Sequence, residues 1–243
     1  MTPEARNSLA GHALYLDIDG TILDLAPTPE SVTVPDWIVP VLQRLMHRLD
    51  GAVAFISGRT VAQIDALFLP LQLPAVGVHG GEIRFGSEAV VQDAALVAQL
   101  QDALPLLNAG VARLPGVRLE NKGCAIALHY RAVPERGREV LKLAQLVVAS
   151  LGPAFAVLFG KCVVEVRPRH LTKGAGIRRL MERAPFLGRS PIFAGDDVTD
   201  EDAFEVVNQL GGISVRVGDA APSAATYRLR DPQQLRDWLC EIA

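Results

Sequence analysis

The chain alternates strand and helix at both of its ends and turns to hairpins in its middle, and few folds accommodate that order. Ala13–Ile18 is a continuous apolar run ending at an aspartate, as a parallel strand buried on both faces should read. Trp37, Ile38, Val41, Leu42, Leu45 and Leu49 recur at helical spacing, with Pro40 in the first turn, where its missing N–H costs little. Ala52–Ile56 is a second buried strand, Val61–Leu67 a short helix, and Ala75–Val78 a third strand closed by His79-Gly80-Gly81. After Pro168 the same alternation returns. Lys173–Arg183 is a helix, Pro191–Ala194 a strand, Asp200–Asn208 a helix, Ile213–Val217 a strand and Pro232–Ile242 a helix. Alternation of this kind builds a parallel sheet.

Between these stretches the pattern is different. Ile83–Phe85 and Val90–Gln92 flank Gly86-Ser87, Val117–Glu120 and Ala125–Tyr130 flank Asn121-Lys122-Gly123, and Ala156–Phe159 and Val163–Arg167 flank Gly160-Lys161. Each reads as a hairpin. Helices are predicted over Ala94–Asn108 and Glu135–Leu151. The expected architecture is therefore an α/β core of residues 1–82 and 167–243, with an α+β cap carrying an antiparallel sheet inserted at 83–166. The corners near Gly81 and Pro168 are the expected hinges.

Composition narrows the function classes. At 49% apolar and 21% charged residues the chain can bury a real core, and with 5% aromatics that core must be mostly aliphatic. A formal net charge of −3 without a basic stripe argues against a nucleic-acid partner. No apolar run is long enough to cross a bilayer, and Met1–His12 holds no apolar signal core, so no membrane partner and a cytoplasmic location are expected. Cys124, Cys162 and Cys240 are too scattered for a disulfide framework or a zinc site. Neither a phosphate-cradling GxxxxGK[ST] loop nor a GxSxG elbow is present.

Two acidic motifs carry the chemistry. Asp17-Ile18-Asp19-Gly20-Thr21 follows the first buried strand, and ligands of open α/β sheets bind beyond the carboxyl ends of strands. Carboxylates two residues apart on an extended segment face the same way, so the pair can share a cation and divide two roles. Asp17 is the expected nucleophile on phosphorus, and Asp19 the expected acid and base. Thr21 can donate to a phosphate oxygen. Gly195-Asp196-Asp197-Val198-Thr199-Asp200-Glu201 follows a second buried strand. Mg2+ takes oxygen ligands, and Asp17, Asp196 and the backbone carbonyl of Asp19 can supply them. Asp197 and Asp200 are expected behind them, fixing ligands and waters, while Thr199 or Asp200 caps the following helix. Ser57, with the N-terminal amides of its helix, makes a phosphate site, and Lys173 can neutralise both the phosphoryl group and Asp17.

The series Asp17-x-Asp19-Gly20-Thr21, Ser57-Gly58-Arg59, Lys173-Gly174 and Gly195-Asp196-Asp197 resembles the haloacid dehalogenase superfamily of phosphatases. The resemblance implies a Rossmann-like core, and the place of the insertion resembles the cap type that enters after the third strand. Within the superfamily the chain resembles the trehalose-6-phosphate phosphatases, through Ser57-Gly58-Arg59, Val78-His79-Gly80, Glu120-x-Lys122, Glu165-x-Arg167 and Gly195-Asp196-Asp197-x-Thr199-Asp200-Glu201. That likeness implies Mg2+ as cofactor and a small sugar phosphate as substrate, with functional pairing to a trehalose-6-phosphate synthase. It implies Glu120, Lys122 and Glu165 as cap residues on the sugar hydroxyls. Arg59 and, near the third hairpin turn, Lys161 are further candidates for substrate contact. Carboxylates accept from adjacent hydroxyls and an ammonium donates, so a disaccharide without an apolar handle is well read by such groups. His79 fits the site mouth or a satisfied loop position. His129 and His170 have no assigned role.

Overall fold

The computed structural model describes residues 9–26, 31–160, 162–219 and 222–243. The first elements are β1 (His12–Leu16), α1 (Ile38–Arg48), β2 (Val53–Ile56), α2 (Val61–Phe68), β3 (Ala75–Gly77) and β4 (Glu82–Arg84). Then come α3 (Ala94–Val111), β5 (Arg118–Asn121), β6 (Ile126–His129), α4 (Gly137–Leu151), β7 (Phe155–Gly160) and β8 (Val163–Pro168). The last are α5 (Lys173–Met181), β9 (Ser190–Gly195), α6 (Glu201–Gln209), β10 (Ile213–Val217), β11 (Tyr227–Leu229) and α7 (Pro232–Ile242). The chain divides into two compact units, one formed by the described residues up to Val90 together with Thr172–Ala243, the other by Val91–Leu171.

In the first unit, the described strands form a seven-stranded sheet in the order β11-β10-β9-β1-β2-β3-β4. All its pairings are parallel except β3 with β4. β1 sits near the centre, in register with β2 through Leu14↔Val53 and with β9 through Leu14↔Ile192. Its side chains Ala13 to Leu16 are all buried, which is why the sequence shows an apolar run rather than alternation. Burying a leucine such as Leu14 or Leu16 is worth about 1.5–3 kcal/mol relative to exposure. Several of the few aromatics meet in pairs. Phe55 stacks on Phe68 at 4.4 Å, and Tyr15 on Phe186 at 5.4 Å. The Tyr15 hydroxyl donates to Met181 Sδ at 2.9 Å, and burial pushes its pKa up.

Local signals start the helices of this unit. α1 buries Ile38, Val41, Leu42 and Leu45 on one stripe. Thr60 and Gln63 close a capping box at α2, and Asp231 caps α7 with Pro232 in its first turn.

The structure corrects the reading of Ile83–Phe85. Glu82–Arg84 pairs antiparallel with β3, through Val76↔Ile83, and not with Val90–Gln92. Its place is set by a turn that sequence pattern does not reveal. Val78, His79 and Gly80 all adopt positive φ, at 47°, 51° and 107°, and fold the chain back on β3. A β-branched residue there carries strain of roughly 1–3 kcal/mol. The turn is held by Val78 N–H to Arg59 O at 2.8 Å and His79 N–H to Ser57 O at 3.0 Å.

The second unit has a four-stranded antiparallel sheet, ordered β5-β6-β8-β7. Strict alternation splits its faces. Ile126, Leu128, Val164 and Val166 pack with Leu100, Leu107, Val140 and Val147 of α3 and α4. The other face carries Glu120, Ala127 and Glu165, side by side through the pairings Glu120↔Ala127 and Ala127↔Glu165. α3 is capped by Asp93 and runs three residues past the predicted end despite Pro105.

Candidate active site

The carboxyl ends of β1 and β9 bring the two acidic motifs together. Asp17 continues the β1 ladder, its N–H donating to Ala194 O at 2.9 Å. Gly20 then turns the chain with φ 84°, its N–H bonded to Leu23 O at 2.8 Å. A Cβ at Gly20 would lie inside contact distance of Asp196 Oδ2, so a residue with a side chain there would push Asp196 aside. Thr21 Oγ1 lies 3.0 Å from Asp17 Oδ2 and 3.1 Å from Asp196 Oδ1. Its single proton can serve one of them at a time.

Lys173 is the first residue of α5, whose N-cap Thr172 accepts from Ala175 N–H at 3.1 Å. Its ammonium donates to Asp17 Oδ1 at 2.7 Å and to Asp200 Oδ1 at 2.6 Å, with all three side chains buried. Asp200 Oδ2 accepts the N–H groups of Asp196 and Asp197, each at 3.0 Å. Both Asp200 oxygens are thus engaged. Of the two residues expected to cap the following helix, Asp200 stands at the N-cap of α6, without a side-chain cap bond, and closes a capping box with Asp197, which accepts from Val198 N–H at 2.6 Å at the start of the turn before it.

The electrostatics are unbalanced. Asp17, Asp196 and Asp200 each offer a carboxylate oxygen within 4.8 Å of one another, facing the one ammonium of Lys173. Burial, offset in part by Lys173 and reinforced by the charges of Asp200 and Asp196, holds the Asp17 pKa well above the usual carboxylate range. Burial and the Asp200 charge push Asp196 up to about 6. Burial opposes the charge on Lys173, but Asp17 and Asp200 outweigh it and raise its pKa. An all-oxygen cluster with surplus negative charge suits a hard divalent cation, with Asp17 and Asp196 as the carboxylates left to hold it.

Ser57 directly follows β2 and is buried; its Oγ accepts from Arg59 N–H at 3.2 Å. Two of the α2 amides expected to join it in a phosphate site are already used. Val61 N–H donates to Glu82 Oε2 at 2.6 Å and Gln63 N–H to Thr60 Oγ1 at 3.2 Å. Arg59 is buried and gives two hydrogen bonds to Asp19, at 2.7 and 2.6 Å. That bidentate grip orients the Asp19 carboxylate. His79 lies against the same loop, where a Cβ on Gly58 would collide with its ring.

In the second unit, Lys122 Nζ pairs with Glu165 Oε1 at 2.7 Å, and Glu120 Oε2 with His129 Nε2 at 2.8 Å. Glu120, Lys122 and Glu165 are therefore neighbours on one sheet face. Lys161 lies outside the described residues. Sequence reasoning left His129 unassigned and passed over Arg216, which donates to Glu201 and to the carbonyl of Asp196. A charged residue inside the apolar run Ile213–Val217 was the available signal for Arg216.

The strand order, the acidic ends of two adjoining parallel strands and a lysine of α5 that reaches an aspartate beyond each of them form the arrangement expected from the resemblance to haloacid dehalogenase phosphatases. The chain belongs to the trehalose-phosphatase family, whose model matches residues 15–233. It is 43% identical over 240 residues to the trehalose-6-phosphate phosphatase of Escherichia coli (strain K12), covering 98% of this chain and 88% of that protein. It is 42% identical over 232 residues to a probable trehalose-phosphate phosphatase of Sinorhizobium fredii, covering 95% and 87%. The solved C-terminal domain of the C. albicans trehalose-6-phosphate phosphatase shares the fold, with a TM-score of 0.79 at 23% identity over 94% of this chain and 90% of that one. Among the described residues no helix is long and apolar enough to cross a membrane.

Proposed function

We propose that the chain hydrolyses trehalose 6-phosphate to trehalose and phosphate with the help of Mg2+. One observation carries the reading: buried Asp17 and Lys173 and half-buried Asp196, distant in sequence, meet in one cluster in a chain 43% identical to a trehalose-6-phosphate phosphatase. Asp17, Asp196 and the Asp19 carbonyl would hold the ion, which supplies positive charge to the phosphoryl group and to the crowded carboxylates.

An oxygen of Asp17 attacks phosphorus as the bond from phosphorus to the sugar oxygen breaks, leaving an aspartyl-phosphate. Asp19, once one of its oxygens has left Arg59 and taken up a proton, gives that proton to the departing sugar oxygen. It then takes a proton from the water that attacks the phosphorus, which frees phosphate and regenerates Asp17. Lys173 neutralises Asp17 and the transferring group, while Ser57 and Thr21 donate to phosphate oxygens. Asp200 fixes Lys173 through one oxygen and the Asp196-Asp197 backbone through the other. Glu120, Lys122 and Glu165 bind sugar hydroxyls, and a site built on such groups rejects sugars that leave them unpaired.

The test is phosphate release across a sugar-phosphate panel, with and without Mg2+. Trehalose 6-phosphate should stand far above glucose 6-phosphate and sucrose 6-phosphate, and Ca2+ should inhibit, because its wider coordination can take both oxygens of Asp17. Equal turnover of the three sugars would refute the substrate, and full activity in excess chelator would refute the ion.

A further inference from the structure

We propose that Arg216 and Glu201 form a positioning device for Asp196, fixing the main chain that carries this cation-holding carboxylate. The inference rests on the magnesium reading above.

Asp196 is held at three points. Its N–H donates to Asp200 Oδ2 at 3.0 Å, its Oδ1 faces the Thr21 hydroxyl at 3.1 Å, and its carbonyl accepts from Arg216 at 2.6 Å. The third point comes from another strand. Arg216 stands on β10 opposite Gly195, the residue before Asp196. Its remaining terminal nitrogen donates to Glu201 Oε1 at 2.6 Å. Glu201 opens α6, and its other oxygen accepts from Ala224 N–H at 2.7 Å and from the Ser223 hydroxyl at 3.2 Å. One guanidinium and one carboxylate thereby tie the Asp196 carbonyl, the start of α6 and the segment after β10 into a single frame.

The frame is costly to build unless position matters. Arg216 is 5% exposed, between Val215 and Val217, and a buried charge needs well-made partners. Its Nε is buried without a hydrogen-bond partner among the described residues. The fork thus gives up one donor while its two terminal nitrogens reach Asp196 and Glu201. The contact is with the carbonyl, and the charges acting on the Asp196 carboxyl are those of Asp200, Lys173 and Asp197. Arg216 therefore acts by aiming the residue. Aim counts here because Gly20 leaves no spare room beside Asp196 Oδ2. Outer partners that orient ligands commonly contribute a factor of about 10–100 in metal affinity.

A matched control exists within the fold. Arg84 is also buried and also bridges a carboxylate and a carbonyl, those of Asp65 and Leu73, but it touches none of the acidic cluster. The experiment measures Mn2+ binding, by calorimetry on the chelator-treated chain, to wild type, Arg216→Lys, Glu201→Gln and Arg84→Lys. Mn2+ is the probe because it takes the same all-oxygen set as Mg2+. Each titration runs well below that variant's Tm. Lysine keeps the charge at 216 but cannot reach both partners, so Mn2+ affinity should fall about 10–100-fold. Glu201→Gln should weaken binding in the same sense, and it decides alone should Arg216→Lys fail to fold. Arg84→Lys should lose Tm and keep its affinity. Wild-type affinity in Arg216→Lys, or equal weakening in Arg84→Lys, overturns the positioning role and leaves the magnesium reading standing. Wild-type protein that binds no Mn2+ overturns that reading and this inference together.

Discussion

Without metal, Asp196→Asn should make the protein more stable. Burial and the charge of Asp200 raise the Asp196 pKa from 3.8 to about 6 in the fold, against the smaller opposing effects of Lys173 and Thr21. The sign follows from linkage. The unfolded chain loses this proton near its ordinary pKa, whereas the folded protein keeps it to about pH 6. Above that pH the native state carries a charge it disfavours, so the penalty is complete at neutral pH and vanishes as pH falls below about 4. A displacement of roughly two pH units corresponds to about 3 kcal/mol at most. Water reaching the half-buried carboxyl trims this to roughly 1–2 kcal/mol. Asparagine has the same shape and can still accept from Thr21, so removing the charge should recover most of that. For a chain of this size the gain is a Tm rise of roughly 2–8 °C. The assay is thermal unfolding in excess chelator at neutral pH and near pH 5, where the advantage should shrink by about half. In saturating Mg2+ the order should reverse, because the variant has lost a ligand and wild type gains binding energy. An Asn variant less stable than wild type in chelator, or an advantage that grows as pH falls, would refute the reasoning.

Asp17→Asn should abolish phosphate release while circular dichroism stays unchanged; steady-state turnover in saturating metal would end the nucleophile assignment. Glu120→Ala, Lys122→Ala and Glu165→Ala should each lower kcat/KM for trehalose 6-phosphate by about one to two orders of magnitude, with far smaller losses on p-nitrophenyl phosphate. Equal losses on both substrates would remove the sugar-binding role. Lys122→Ala should also lower Tm, because it takes away the ammonium facing the buried Glu165.

The parallel sheet was legible because its strands are buried on both faces and so appear as unbroken apolar runs, two of them ending in acidic motifs. Asp17, Lys173 and Asp196 could be grouped from spacing and order. What stayed hidden depends on backbone geometry or on partners far away in sequence. Ile83–Phe85 has the same short apolar pattern whether it pairs forward or back, and the positive φ at Val78 that decides the matter leaves no trace in residue type. β11 is three residues long, too short for a period. The cap of α2 is Thr60, three residues beyond Ser57, so the helix amides could not be assigned from Ser57 alone. Arg59 on the Asp19 side chain, His129 on the Glu120 side chain and Arg216 on the Asp196 carbonyl are contacts across strands and loops, which periodicity does not encode.

The place of β1 in the sheet has a consequence for how the protein is made. One neighbour, β2, leaves the ribosome soon after it, but the other, β9, follows only once Val91–Leu171 has been synthesised. Until then β1 has no partner on that edge, whose N–H and C=O groups are the ones β9 will pair with. The arrival of α5 and β9 closes that edge and, in the same event, delivers Lys173 and Asp196 to Asp17. Covering the β1 edge and completing the acidic cluster thus belong to one step of assembly.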